Sequence, residues 1–200
     1  MRTFSCVLLA AILVMLASVS WGGDFQKGWS AYSSGDYPTA LTEWQELAEA
    51  GDANASYGMG LLYGNGFGVD INDELALKFY GLAATEGHAE AQYNLGVMYQ
   101  NGWGVPPSEE EGLKWFGLAA EQGIVGAQMA LGRYYAMDFA DSYDPVVAYK
   151  WFALANKLGD FDAKSKKEFV ASRMTPAQVA EADGHVNVWL EDHESLSASQ

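Results

Sequence analysis

One stretch, Ala91–Gly126, sets what this chain can fold into, because it recurs on both sides of itself. It reads AQYNLGVMYQNGWGVPPSEEEGLKWFGLAAEQGIVG. Ala55–Glu90 precedes it as ASYGMGLLYGNGFGVDINDELALKFYGLAATEGHAE, and Ala127–Asp162 follows as AQMALGRYYAMDFADSYDPVVAYKWFALANKLGDFD. The copies start at 55, 91 and 127, a spacing of 36 residues with no gap. A fixed period of about 20–50 residues marks a repeat array, in which each unit buries its apolar face only by stacking on its neighbours.

Within the copies small and aromatic residues stay in register. Gly60, Gly96 and Gly132 align, as do Tyr63, Tyr99 and Tyr135. Ala76, Gly112 and Ala148 follow, then Phe79, Trp115 and Trp151, then Leu82, Leu118 and Leu154, and Gly87, Gly123 and Gly159 close the units. Apolar positions three and four apart in each half predict two amphipathic helices. Gly64–Val69 and Asn101–Val105 lie between the halves, rich in residues that tolerate positive φ and turn the chain. Asp73–Glu74 and Ser108–Glu110 put acidic or capping groups where the second helix's dipole favours them.

These positions resemble the Sel-1-like repeat, a branch of the tetratricopeptide superfamily. The middle copy carries the pattern through Ala91, Leu95, Gly96, Tyr99, Gly102, Gly104, Val105, Trp115, Phe116, Ala119, Ala120, Gly123 and Ala127. It departs at Gly112, where the family has alanine, and the third copy puts Asp138, Ala140 and Asp141 in place of the loop glycines and valine. The resemblance implies an all-α fold, a right-handed α/α superhelix (solenoid) of stacked helix-turn-helix repeats. Residues 23–54 look like an ordinary tetratricopeptide unit acting as an N-terminal cap, through Gly28, Tyr32, Gly35, Asp36, Tyr37, Ala40, Leu41, Trp44, Leu47 and Ala48. Repeats at 55–90, 91–126 and 127–162 follow, the last degenerate. Residues 163–193 supply closing helices, about 161–172 and 176–191, announced by the capping pair Thr175-Pro176. A frayed tail is expected over 194–200.

Residues 1–22 read differently from the rest. Arg2 precedes the apolar run Val7–Val19, then Ser20-Trp21-Gly22, the pattern of a secretory signal peptide cleaved near Gly22/Gly23. The run is shorter than the ~20 apolar residues of a membrane span. Periplasmic or secreted location is therefore expected, with no transmembrane segment after cleavage. Cys6, the one cysteine, precedes the apolar run, so it is not a lipid attachment site and leaves no cysteine for a mature disulfide. Loss of Arg2 leaves 10 Lys+Arg against 26 Asp+Glu. That surface repels nucleic acid and anionic lipid, leaves cationic or neutral partners open, and also favours solubility.

No chemistry-bearing motif stands in register in the sequence. Gly64–Gly68 has glycines like a phosphate loop, but it links two helices and its third glycine has the wrong spacing. Asp70, Asp73 and Glu74, and Asp138, Asp141 and Asp144, lack the EF-hand spacing, and His88, His185 and His193 are scattered, so no metal is expected. The resemblance raises β-lactam chemistry, yet S-x-x-K, S-D-N and K-T-G are absent. No cofactor is expected, and the chain reads as a non-enzyme.

What remains is surface. Carrying the family's groove-facing positions onto this chain selects Phe25, Trp29, Tyr32, Tyr57, Leu61, Glu90, Tyr93, Val97, Gln100, Met129 and Arg133. Trp29, Tyr57 and Tyr93 would make an aromatic ladder, although aromatics serve equally as packing anchors. The resemblance implies adaptor work: a non-catalytic protein-protein interaction scaffold in the bacterial cell envelope that holds a peptide or partner protein in its concave groove. The alternatives are a secreted carbohydrate- or peptidoglycan-binding module and, further off, a cell-wall or β-lactam hydrolase. A secretory-pathway context outside bacteria has only the sequon Asn54-Ala55-Ser56 behind it, which also fits helix capping.

Overall fold

The computed structural model describes residues 23–138 and 141–197, with side chains as far as Glu194. Residues 1–22, expected from sequence to be a signal peptide, lie outside these residues. Among them there are ten helices and no strand: α1 (Phe25–Ser34), α2 (Tyr37–Glu49), α3 (Ala53–Asn65), α4 (Asp73–Thr85), α5 (Ala89–Asn101), α6 (Glu109–Glu121), α7 (Val125–Tyr135), α8 (Pro145–Lys157), α9 (Phe161–Ala171) and α10 (Pro176–Ser197). Each helix from α1 to α8 packs on the next, the connectivity of a solenoid.

Local chemistry explains where the helices begin. Side chains of Asp24, Asp36, Asp52, Asn72, His88, Ser108, Asp144 and Asp160 each accept a hydrogen bond from a first-turn N–H. Ile124, before α7, makes no such bond. The Gly-rich loops do two jobs. Gly66 and Gly102 end α3 and α5 in the left-handed region, at φ 71° and 74°. Gly68 and Gly104 then let the loop lie against an earlier second helix: a Cβ there would fall 2.6 Å from Tyr37 Cβ and 2.5 Å from the Asp73 carbonyl oxygen. The third copy lacks these glycines but keeps the closing bond. Asp144 N–H donates to Tyr135 O at 2.9 Å, as Asn72 does to Tyr63 and Ser108 to Tyr99.

The core is built of rings laid on glycines. A Cβ at Gly60, Gly96 or Gly132 would stand 2.5, 2.7 or 2.6 Å from the ring of Tyr80, Phe116 or Phe152. A first helix and its second helix thus approach to ring thickness, and only glycine leaves that space. Between repeats, Gln92 and Gln128 are buried and donate to the carbonyl oxygens of Ala84 and Ala120, both at 3.1 Å, tying each first helix to the end of the helix before it. Gln122 donates in turn to the Gln92 side-chain oxygen at 2.7 Å.

At the C-terminal end α9 packs on α8, where a fourth first helix would lie. It carries Lys164, Lys167 and Glu168 where α7 buries Gln128, Leu131 and Gly132, although Phe161 and Phe169 of the same helix are also exposed. The long α10 packs on α8. Tyr149 donates to Asp183 at 3.0 Å, and His193, stacked on Trp189 at 3.7 Å, lies 2.6 Å from the Glu121 carbonyl oxygen. α10 therefore reaches back over α8 to the end of α6. Burial, with Asp183 close by, pushes the Tyr149 hydroxyl up to about 12. α10 runs through Ser197, past residue 194 where a tail was expected; nothing between Glu194 and Ser197 is a helix breaker.

Candidate binding groove

Three notches recur along the first helices, each where one repeat meets the next. The first, between α3, α4 and α5, has a volume of about 250 Å³ and is lined by Leu61, Tyr80, Asn94, Val97 and Trp103 among others. The second, between α5, α6 and α7, is about 660 Å³ and includes Gln100, Glu109, Phe116, Ala130 and Arg133. The third, between α7, α8 and α9, is about 310 Å³ and includes Arg133, Phe152, Lys166 and Phe169. Leu61, Val97, Arg133 and Phe169 are 36 residues apart, as are Tyr80, Phe116 and Phe152. The notches are one feature repeated, because the repeat that sets helix packing also sets the gaps between packed helices.

The expected groove residues fall into three groups. Leu61 and Val97 share the first notch, and Gln100 and Arg133 share the second. Phe25, Tyr32, Tyr57 and Tyr93 are half-buried, and their rings are engaged in packing. Tyr32 lies 5.6 Å from Trp44, Tyr57 stacks on His88 at 4.4 Å, and Tyr93 lies 5.8 Å from Phe116. Trp29 is 41% exposed but borders Phe25, Tyr32 and Trp44, so the three rings of the proposed ladder each belong to a local cluster. Met129 is a correction. It is 5% exposed, within the core of α7 and α8, and offers no groove surface. An unbranched thioether with no polar tip folds inward where tyrosine keeps its hydroxyl near water.

Reading only the first helices missed half of each wall. Glu109, Leu113 and Phe116 come from the opening turns of α6, and Pro107 and Trp103 from the loop before it. Glu109, at the start of α6 where the helix dipole favours an acid, also accepts a hydrogen bond from the Tyr134 hydroxyl at 3.3 Å.

Near the groove's N-terminal end, His88 caps α5 by accepting from Ala91 N–H at 3.3 Å while its ring packs on Tyr57. Glu90 lies 3.3 Å from the same nitrogen and is itself exposed. Burial lowers the His88 pKa from 6.5, with Glu90 opposing. The folded state thus prefers neutral His88, and the unfolded chain binds the proton more readily. The cap's stabilisation is complete above the unfolded value and is lost as pH falls from there through the lowered folded value. Between about pH 8 and pH 5, wild type should lose more melting temperature than His88→Asn, which keeps a neutral cap. An equal loss in both proteins would place the acid sensitivity elsewhere.

Burial, and Glu90 beside it, also raise the Tyr57 hydroxyl above its usual range. Among the described residues no group of three or more His, Cys, Asp or Glu side chains is placed to hold a metal, and no helix is long and apolar enough to cross a membrane.

The repeat, the loops and the ring-on-glycine packing can be set beside known proteins. The Sel1 repeat family model matches residues 53–88, 89–124 and 125–160, two residues ahead of the phase chosen from sequence. A crystal structure of a Sel1 repeat protein from Oxalobacter formigenes is similar at 30% identity and TM-score 0.68, over 72% of this chain and 59% of that one. A protective antigen present in uropathogenic Escherichia coli strains, displaying an SLR fold, is similar at 23% identity and TM-score 0.56, over 84% of this chain and 44% of that one, and bears on the fold alone. The chain thus spans less than two thirds of the length of either protein. No curated protein matches. Three consecutive matches over more than half its length place the chain in the Sel1 repeat family.

Proposed function

We propose that this protein is a non-catalytic adaptor of the bacterial cell envelope that holds an extended segment of a partner protein along the notches of its first-helix face. Sel1 repeat proteins are generally protein-interaction scaffolds. The observation that carries the finer reading is the register of the notches: the same positions, 36 residues apart, form a gap at three successive junctions. A row of equivalent gaps suits an extended chain that sets side chains into them in turn. The envelope location rests on residues 1–22; an intact mass starting near residue 23 is the expected result for the exported protein, and a mass that still includes residues 1–22 would overturn it.

The test is crosslinking of the tagged protein in its native envelope, comparing wild type with Ala130→Trp, which fills the largest notch. A defined protein captured by wild type and lost from a folded Ala130→Trp variant is the expected result. Capture unchanged by the filled notch would move binding to another face. Retention on purified cell-wall glycan without protein capture would favour the carbohydrate-binding alternative.

A further inference from the structure

The notch between α5, α6 and α7 departs from its neighbours in a way the repeat does not require. The column of Leu61, Val97, Arg133 and Phe169 carries its one charge at Arg133. Arg133 is exposed and borders two of the three notches. It has no carboxylate partner among the described residues, whereas Arg173 is held by Asp138 at 2.8 Å. Glu109, in the same notch, accepts from the Tyr134 hydroxyl instead. In a chain with 26 acidic side chains against 11 basic ones, an unpaired guanidinium marks a place that the chain's own carboxylates do not fill.

Beside this cation the wall is apolar. Leu113, Phe116, Ala130 and Met137 line the notch, and Phe116 is 3% exposed against the helix behind it. Alanine at 130 stands where the first notch has Asn94, which removes a polar side chain from the wall. The volume of about 660 Å³ accommodates a side chain of leucine or phenylalanine size with adjoining backbone.

We propose that this notch, on the groove reading given above, takes an apolar side chain of an extended peptide whose next residue is an internal aspartate or glutamate paired with Arg133. The guanidinium presents parallel N–H donors that match a carboxylate's two oxygens, and an adjoining apolar wall strengthens such a pair relative to one in open water. Gln100 and Glu109 on the rim offer acceptors to the peptide's own N–H groups. The net charge of −15 sets the limit on the partner. A run of acids is repelled by the rest of the surface, so the match is a single carboxylate next to an apolar anchor, in neutral or basic surroundings.

The experiment is a fluorescence-anisotropy titration of the full mature chain with short acetylated, amidated peptides. One carries Leu-Glu in Gly-Ser flanks, a second Leu-Gln, and a third ends in leucine with a free carboxylate. The Leu-Glu peptide should bind about tenfold tighter than Leu-Gln. Arg133→Gln should abolish that preference, Arg133→Lys should keep part of it, and Ala130→Trp should remove binding of both peptides. Equal binding of Leu-Glu and Leu-Gln, with Ala130→Trp still blocking both, would overturn the acid preference and leave the groove standing. Binding indifferent to Ala130→Trp would overturn the groove reading itself. Tighter binding of the free-carboxylate peptide, or no binding of Leu-Glu at about 1 mM, would also overturn the proposal.

Discussion

Replacing Trp44 by alanine should cost about 3–5 kcal/mol, the range for emptying a fully buried tryptophan site. Trp44 is 0% exposed and sits between two glycines of different repeats. A Cβ at Gly28 would fall 2.4 Å from its Nε1, and one at Gly58 would fall 2.5 Å from its Cε3. The indole N–H donates to Phe25 O at 3.3 Å, and the rings of Phe25, Trp29 and Tyr32 surround it. One side chain therefore joins α1, α2 and α3, and its loss leaves a cavity bounded by glycines that have no side chain to fill it. In a solenoid such a loss need not unfold everything at once, because each repeat contacts only its neighbours. Hydrogen exchange should show α1 and α2 opening first in Trp44→Ala, while α5 to α8 keep more of their protection. Uniform loss of protection along the chain would mean that the stack folds as one cooperative block.

The sequence carried the period, and the period carried most of the fold. Helix pairs, capping groups and turn glycines all follow from local residue types, and local rules are what a single sequence states most clearly. Choices between neighbouring residues were harder. Phe79, Trp115 and Trp151 align as the ring column, yet Tyr80, Phe116 and Phe152, one position on, are the rings that lie on the glycines. Two adjacent aromatics are equivalent to a periodicity argument, and only the approach of the partner helix separates them. Gln92 and Gln128 show the same limit from the polar side. Each sits at a helix position that reads as surface, yet each is buried because a carbonyl oxygen at the end of the preceding helix needs a donor. For the groove, the column containing Leu61, Val97 and Arg133 was legible because the family's helix face defines it. The opposite wall was not, since Glu109 and Leu113 belong to a helix that the groove reading left out.

Gly96→Ala is the second substitution with a large expected effect, although it adds one methyl group and favours helix by propensity alone. The added Cβ would stand 2.7 Å from the Phe116 ring and 3.2 Å from the Gly112 carbonyl oxygen. Phe116 is 3% exposed and has little room to withdraw, and a backbone oxygen does not move without the helix. α5 and α6 must separate, so overpacking should outweigh the propensity gain by about 1–3 kcal/mol. The ring is the removable half of the conflict. Phe116→Leu alone should destabilise by opening space beside Gly96, while the pair Gly96→Ala with Phe116→Leu should lose less than the sum of the two single variants. Denaturant midpoints of the four proteins give the coupling directly. Strict additivity would show that the methyl is accommodated by a shift of the whole helix, and that the ring-on-glycine contact does not set how closely the helices pack. The same contact forms one wall of the largest notch, because Phe116 lines it. Gly96→Ala should therefore weaken binding of the short Leu-Glu peptide even at temperatures where the protein stays folded, and Gly60→Ala, against Tyr80 in the neighbouring notch, should leave binding of that short peptide unchanged.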